Sequence, residues 1–109
     1  DVAVISGSIT GTFEPTGLRT SLKHSVQTVT DTPSLVTPIP LIDRNSITIR
    51  VWGAETVYFG DSNLVTSADG YPKTTLEELA MDIKDTAGVD VWVVCEPGKT
   101  SQIRILEIA

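Results

Sequence analysis

Cysteine, histidine and methionine each occur once in these 109 residues, as Cys95, His24 and Met81. A single cysteine excludes an intramolecular disulfide, so stability must come from packing, and a lone cysteine in an apolar run reads as a small buried hydrophobe. No Cys/His cluster exists from which to build a zinc site. His24 sits in an alternating segment, which suits a cross-strand or surface role better than acid–base catalysis. No serine lies in a nucleophile elbow or beside a lysine at a recognisable spacing. Gly7, Gly11 and Gly17 do not open a helix after a strand, so a phosphate loop is unsupported.

Positive charge is also scarce, with eight Lys and Arg against fourteen Asp and Glu and a net charge of −6. Neutralising phosphates needs clustered basic residues, and here they are scattered, so neither a nucleic acid nor an anionic membrane surface is an expected partner. No apolar run approaches the roughly 20 residues that cross a bilayer. No basic region followed by an apolar stretch opens the chain as given, so no secretion signal is expected within it. Hydrophobic residues make up 40% and charged residues 20%, the composition of an ordinary globular domain. The length suits one domain.

What the sequence has in abundance is β signal: valine, isoleucine and threonine in short runs punctuated by Gly, Pro, Asp and Asn. Ser21–Thr30 alternates, with Leu22, His24, Val26 and Thr28 on one face. Pro33, Pro38 and Pro40 forbid a central strand across Asp31–Pro40, which reads as an extended crossover between sheets. Ser46–Trp52 sets Ile47, Ile49 and Val51 against Thr48 and Arg50. Gly53-Ala54-Glu55 then turns the chain into Thr56–Phe59, which predicts a hairpin. Val89–Cys95 is apolar on both faces in its second half, as a central strand would be. Glu96-Pro97-Gly98-Lys99 reads as a turn, with Pro97 pre-setting φ and Gly98 supplying φ > 0. It leads into Ser101–Ile108, where Ile103, Ile105 and either Leu106 or Ile108 alternate with Arg104 and Glu107. That predicts a second hairpin.

Thr75–Asp85 fits two periods. Leu76, Leu79, Ala80 and Ile83 form a helical stripe, with Thr75 as cap and Glu78 placed for a capping box. Leu79, Met81 and Ile83 against Ala80, Asp82 and Lys84 fit a strand. Strands on both sides favour the strand. Residues 1–19, with apolar Val2, Val4, Ile5 and Ile9, are expected to be a first strand or an arm reaching a neighbouring subunit. Residues 20–109 form the domain proper: all-β, an antiparallel β-sandwich or small barrel of about seven to eight short strands.

The acids Asp61 and Asp69, and further on Glu77, Glu78, Asp82, Asp85 and Asp90, read as a solvated face rather than a calcium site. Trp52 and Trp92 end or fill apolar strands, so core roles are expected for both rather than a sugar-binding platform with Tyr58 and Tyr71. No catalytic residue, cofactor or metal is expected. The loop Asp61–Pro72 is polar and long for a hairpin connection, and Tyr71 is the amphipathic kind of residue that interfaces favour. Asp61, Ser62, Asn63, Asp69 and Tyr71 are therefore candidate partner contacts.

Arg44–Pro72 (RNSITIRVWGAETVYFGDSNLVTSADGYP), Leu76–Asp85, Val91–Thr100 (VWVVCEPGKT) and the ending IRILEIA occur in an order that resembles small bacteriophage virion proteins. The likeness covers about Arg44 to Ala109. The chain departs from that pattern at Val51-Trp52, where an Asn often follows Arg, and in a loop longer by Leu64. The resemblance implies a compact β-sandwich carried on the particle, and it implies a strand over Leu76–Asp85. It also implies a non-enzymatic virion component, foremost a capsid decoration or cement protein. Its expected partners are the major capsid protein or other virion proteins and its own copies, in a homo-oligomer. A collar, neck or tail-fibre attachment and a carbohydrate or host-surface binding module are the alternatives.

Overall fold

The computed structural model describes residues 21–109. The expected strand or arm at residues 1–19, with Val2, Val4, Ile5 and Ile9, lies outside the described residues. Eight strands follow: β1 (Leu22–Val29), β2 (Ser34–Leu35), β3 (Ser46–Val51), β4 (Val57–Gly60), β5 (Tyr71–Lys73), β6 (Glu78–Met81), β7 (Trp92–Val94) and β8 (Ser101–Ile108). They form two antiparallel four-stranded sheets, a first in the order β1-β8-β3-β6 and a second in the order β2-β7-β4-β5. The chain is an all-β sandwich, as its alternation and turn spacing predict.

The core lies between the sheets. Ile47, Ile49 and Val51 of β3 and Ile103 and Ile105 of β8 point inward from the first sheet, joined by Val29. Val57, Phe59 and Val93 meet them from the second, with Val36 and Cys95. Every one of these side chains is β-branched or aromatic except Cys95, which suits a pleated, half-buried surface. Cys95 is a free thiol whose pKa burial pushes up, consistent with an inert core residue.

Two hairpin expectations are overturned. Trp52–Glu55 does not fold β4 back onto β3: β3 pairs with β8 and β6, whereas β4 pairs with β7 and β5 in the other sheet. The bend instead carries the chain across the sandwich. Gly53 sits so tightly against β8 that a Cβ would lie 2.3 Å from Ser101 Oγ and 2.6 Å from Gln102 N. Trp52 N and Gly53 N both donate to Gln102 O, and Ser101 Oγ donates to Glu55 O, which fixes the crossing.

The turn at Glu96-Pro97-Gly98-Lys99 forms as expected, with Lys99 N donating to Glu96 O over 3.0 Å and Gly98 at φ 76°. It too crosses between sheets, because β7 pairs with β2 and β4 and β8 with β1 and β3. Among the described strands only β4 and β5 form a sequential hairpin. A turn sequence fixes a reversal of direction; whether the next strand pairs with the last or faces it is decided by which side of each strand is buried.

Thr75–Asp85 resolves as the strand reading has it. Glu78–Met81 pairs with β3, so that Leu79 and Met81 pack on the core while Glu78 and Ala80 face solvent. The expected caps serve elsewhere, Thr75 Oγ1 donating to Gly53 O at 2.8 Å and Glu78 pairing with Arg50. Their neighbours form a bend: Glu77 Oε1 accepts from Thr74 N at 2.8 Å, and Leu76 takes a left-handed φ of 70° while its N–H donates to Val51 O. The prolines leave only the two-residue β2 between β1 and β3, at an edge, as proline's missing donor requires. Val89–Cys95 contributes a shorter strand than expected, Trp92–Val94, in an interior position.

Candidate functional site

The outer face of the first sheet gathers side chains that a core-first reading leaves unassigned. Register places Val26, Arg104, Arg50 and Glu78 in one row across β1, β8, β3 and β6. The next row is His24, Leu106, Thr48 and Ala80. Leu22, Val26, Trp52 and Leu106 are all exposed here, at 61%, 53%, 49% and 36%. A shallow hollow of about 280 Å³ lies among His24, Val26, Arg50, Arg104 and Leu106. The expected face Leu22, His24, Val26 and Thr28 does share one side of β1, and that side faces solvent, while Lys23 and Gln27 turn toward the second layer. There Gln27 donates to Ser34 Oγ and Leu35 O, and Lys23 to Ile39 O, so polar bridges span the open edge of the sandwich.

Arg50 and Arg104 are directly opposed across β3 and β8. Like charges in that position repel. The two side chains resolve the conflict by turning apart. Arg50 pairs with the Glu78 carboxylate. Arg104 lies 4.9 Å from the centre of the Trp52 ring, a cation–π stack, and its Nε donates to Gln102 Oε1 at 3.2 Å. Among the described residues Arg104 has no carboxylate partner. Trp52, expected in the core, therefore lies half-exposed under a guanidinium, because the crossing at Gly53 begins before the tryptophan can be covered. Trp92 is half-buried beside β1 rather than in the core proper.

The second feature missed by sequence is Glu107. Assigned to the polar side of β8, it is instead fully buried, with Arg44 almost so. Glu107 Oε2 accepts from Arg44 Nη1 and from Leu41 N, each at 3.0 Å. Arg44 also donates to Ile83 O and Thr37 Oγ1, so one guanidinium ties the β2–β3 and β6–β7 connections to strand β8. Glu107 Oε1 is buried and meets no hydrogen-bond partner among the described residues. Strict period-two counting from Ile103 and Ile105 puts residue 107 inward and Arg104 and Leu106 outward; the expectation failed by favouring hydrophobicity over parity.

The loop candidates divide. Asp61 and Asn63 are exposed, with Leu64 beside them at 78%. Ser62 is half-buried, and its Oγ accepts from Leu64 N at 3.2 Å. Asp69 serves the loop's own shape: Oδ1 accepts from Thr66 N at 2.8 Å and Thr66 Oγ1 at 3.0 Å, and these bonds, the backbone one foremost, hold its carboxyl below the usual range. Tyr71 belongs to edge strand β5, exposed, with Lys73 Nζ 5.4 Å from its ring centre. Tyr58, on β4, donates to Glu96 Oε2 at 3.0 Å, and this bond beside a carboxylate raises its pKa. Buried Val65 anchors the loop.

Among the described residues no group of three or more His, Cys, Asp or Glu could hold a metal ion. The arrangement on the first sheet has the chemistry of a contact surface: exposed apolar side chains, a tryptophan and a guanidinium, the residue types that dominate binding energy at interfaces. A scan against protein-family models matches none, and a search of curated proteins returns no match.

Proposed function

We propose that this chain is a non-enzymatic structural protein of a bacteriophage particle, a capsid decoration protein that binds the major capsid protein and its own copies. The observation that carries the reading is the outer face of the first sheet, where Leu22, Val26, Trp52 and Leu106 stand exposed together around a stacked arginine. A rigid sandwich presenting such a face suits an assembly built from many modest, repeated contacts. The pairing of Glu78–Met81 with β3 adds support, because the resemblance to phage virion proteins implies a strand there and local propensity does not.

The test is the heat resistance of whole particles assembled with and without the protein. A cement protein raises the temperature at which the shell releases its contents, and Val26→Asp abolishes that gain. Unchanged heat resistance overturns the decoration reading in favour of an attachment at a single vertex or tail.

A further inference from the structure

We infer that the outer face of the first sheet binds the Asp61 loop of a second copy, with the Asp61 carboxylate meeting the Arg104 guanidinium. The inference rests on the self-association part of the reading above and names its contact.

The face is locally frustrated. Opposing Arg50 and Arg104 costs stability in a lone domain, and only Arg50 recovers an anionic partner among the described residues. The Arg104 guanidinium carbon lies 4.9 Å from the Trp52 ring centre on an exposed residue, and a planar fork of this kind matches a carboxylate in bidentate geometry. A guanidinium that meets no carboxylate among the described residues marks a surface with a charge still to pair.

Charge then selects the occupant. The chain carries a net charge of −6, so its surface offers carboxylates in excess. Asp43, Asp61, Asp82 and Asp90 are exposed and make no side-chain hydrogen bond among the described residues. Of these, Asp61 is the one set in the long polar loop between β4 and β5, where Asp69 is spent on Thr66. Beside Asp61 stands Leu64, among the most exposed apolar side chains of the described region. A carboxylate next to a projecting leucine complements a guanidinium next to Val26 and Leu106. The loop joins β4 to β5 of the second sheet, so one copy cannot lay it across the outer face of its own first sheet. The contact is head-to-tail, and it builds rings or open chains rather than a two-fold dimer.

Light scattering on the full chain tests this. The wild type should have a mass that is a multiple of 11.7 kDa. Arg104→Glu and Asp61→Lys should each fall to monomer, with association weakened by about a hundredfold or more from the like charges brought together. Both positions are exposed, so thermal unfolding of each variant should match the wild type. Mixing the two variants in equal amounts should restore the oligomer, because each then meets an opposite charge on the other's face or loop. Oligomers that survive either substitution, or a mixture that stays monomeric, overturn the contact. A monomeric full chain that still protects particles from heat also overturns it while leaving the decoration reading intact.

Discussion

Among the described residues arginine pairs with glutamate twice, and the two pairs live in opposite worlds. Arg44–Glu107 has side chains 8% and 0% exposed; Arg50–Glu78 has side chains 46% and 47% exposed. Water screens the second, so its attraction barely exceeds the entropy of holding two long side chains together. The first exchanges hydration for protein hydrogen bonds, and removing either partner strands a charge in the interior. The same chemistry thus acts as a staple inside the sandwich and as little more than charge neutralisation on its outer face. What the difference teaches is that Arg44 orders connections, while Arg50 only answers the repulsion of Arg104.

The largest expected effect lies at the buried pair. Glu107→Ala should cost about 3–5 kcal/mol, read as a lower urea midpoint at unchanged slope. Replacing both partners, Arg44→Met with Glu107→Leu, should recover most of that loss, because no uncompensated charge remains. A single substitution that costs under about 1 kcal/mol would erase the contrast with the surface pair.

Glu78→Ala should cost under about 1 kcal/mol, and the difference from wild type should vanish in 1 M salt, where the screening length falls to about 3 Å. A larger, salt-resistant loss would mean that Glu78 holds Arg50 away from Arg104 more tightly than an exposed pair can.

The smallest effect belongs to carboxylates that hold backbone rather than arginine. The backbone N–H bonds from Thr66 and Thr74 lower the pKa of Asp69 and of Glu77. A carboxyl whose pKa is lower folded than unfolded adds stability above its unfolded pKa and loses it as pH falls through the folded value. The protection of the Thr66 and Thr74 amides, measured against their intrinsic exchange rates, should therefore fall only at pH below the usual carboxylate range. Asp69→Asn should abolish that onset for Thr66 and leave Thr74 unchanged.

Much of the fold was legible because alternation is a local property. Ile47, Ile49 and Val51 declare the buried side of β3, the Pro-rich stretch declares a crossing, and the chemistry at Pro97-Gly98 declares a turn. The hairpins were not legible, since Gly53 and Gly98 reverse the chain identically whether the next strand pairs with the last or faces it across the core. The loop Asp61–Pro72 could be singled out by its length and polarity, but Asp69's role within it depends on where Thr66 lies. The outer face of the first sheet was hidden for a different reason: Leu22, Val26 and Leu106 are apolar, and apolar alternation suggests burial.

By itself the sequence determined the class of architecture, the inward residues of β3, and a chain without an internal disulfide. Those follow from side-chain spacing and from the chemistry of single residues. The tertiary structure decided which strands are neighbours, that Glu107 and Arg44 meet inside, and that Trp52 carries Arg104 on the surface. Each of these depends on groups distant in the chain arriving at one place, and such encounters are settled only when the whole set of buried faces is closed at once.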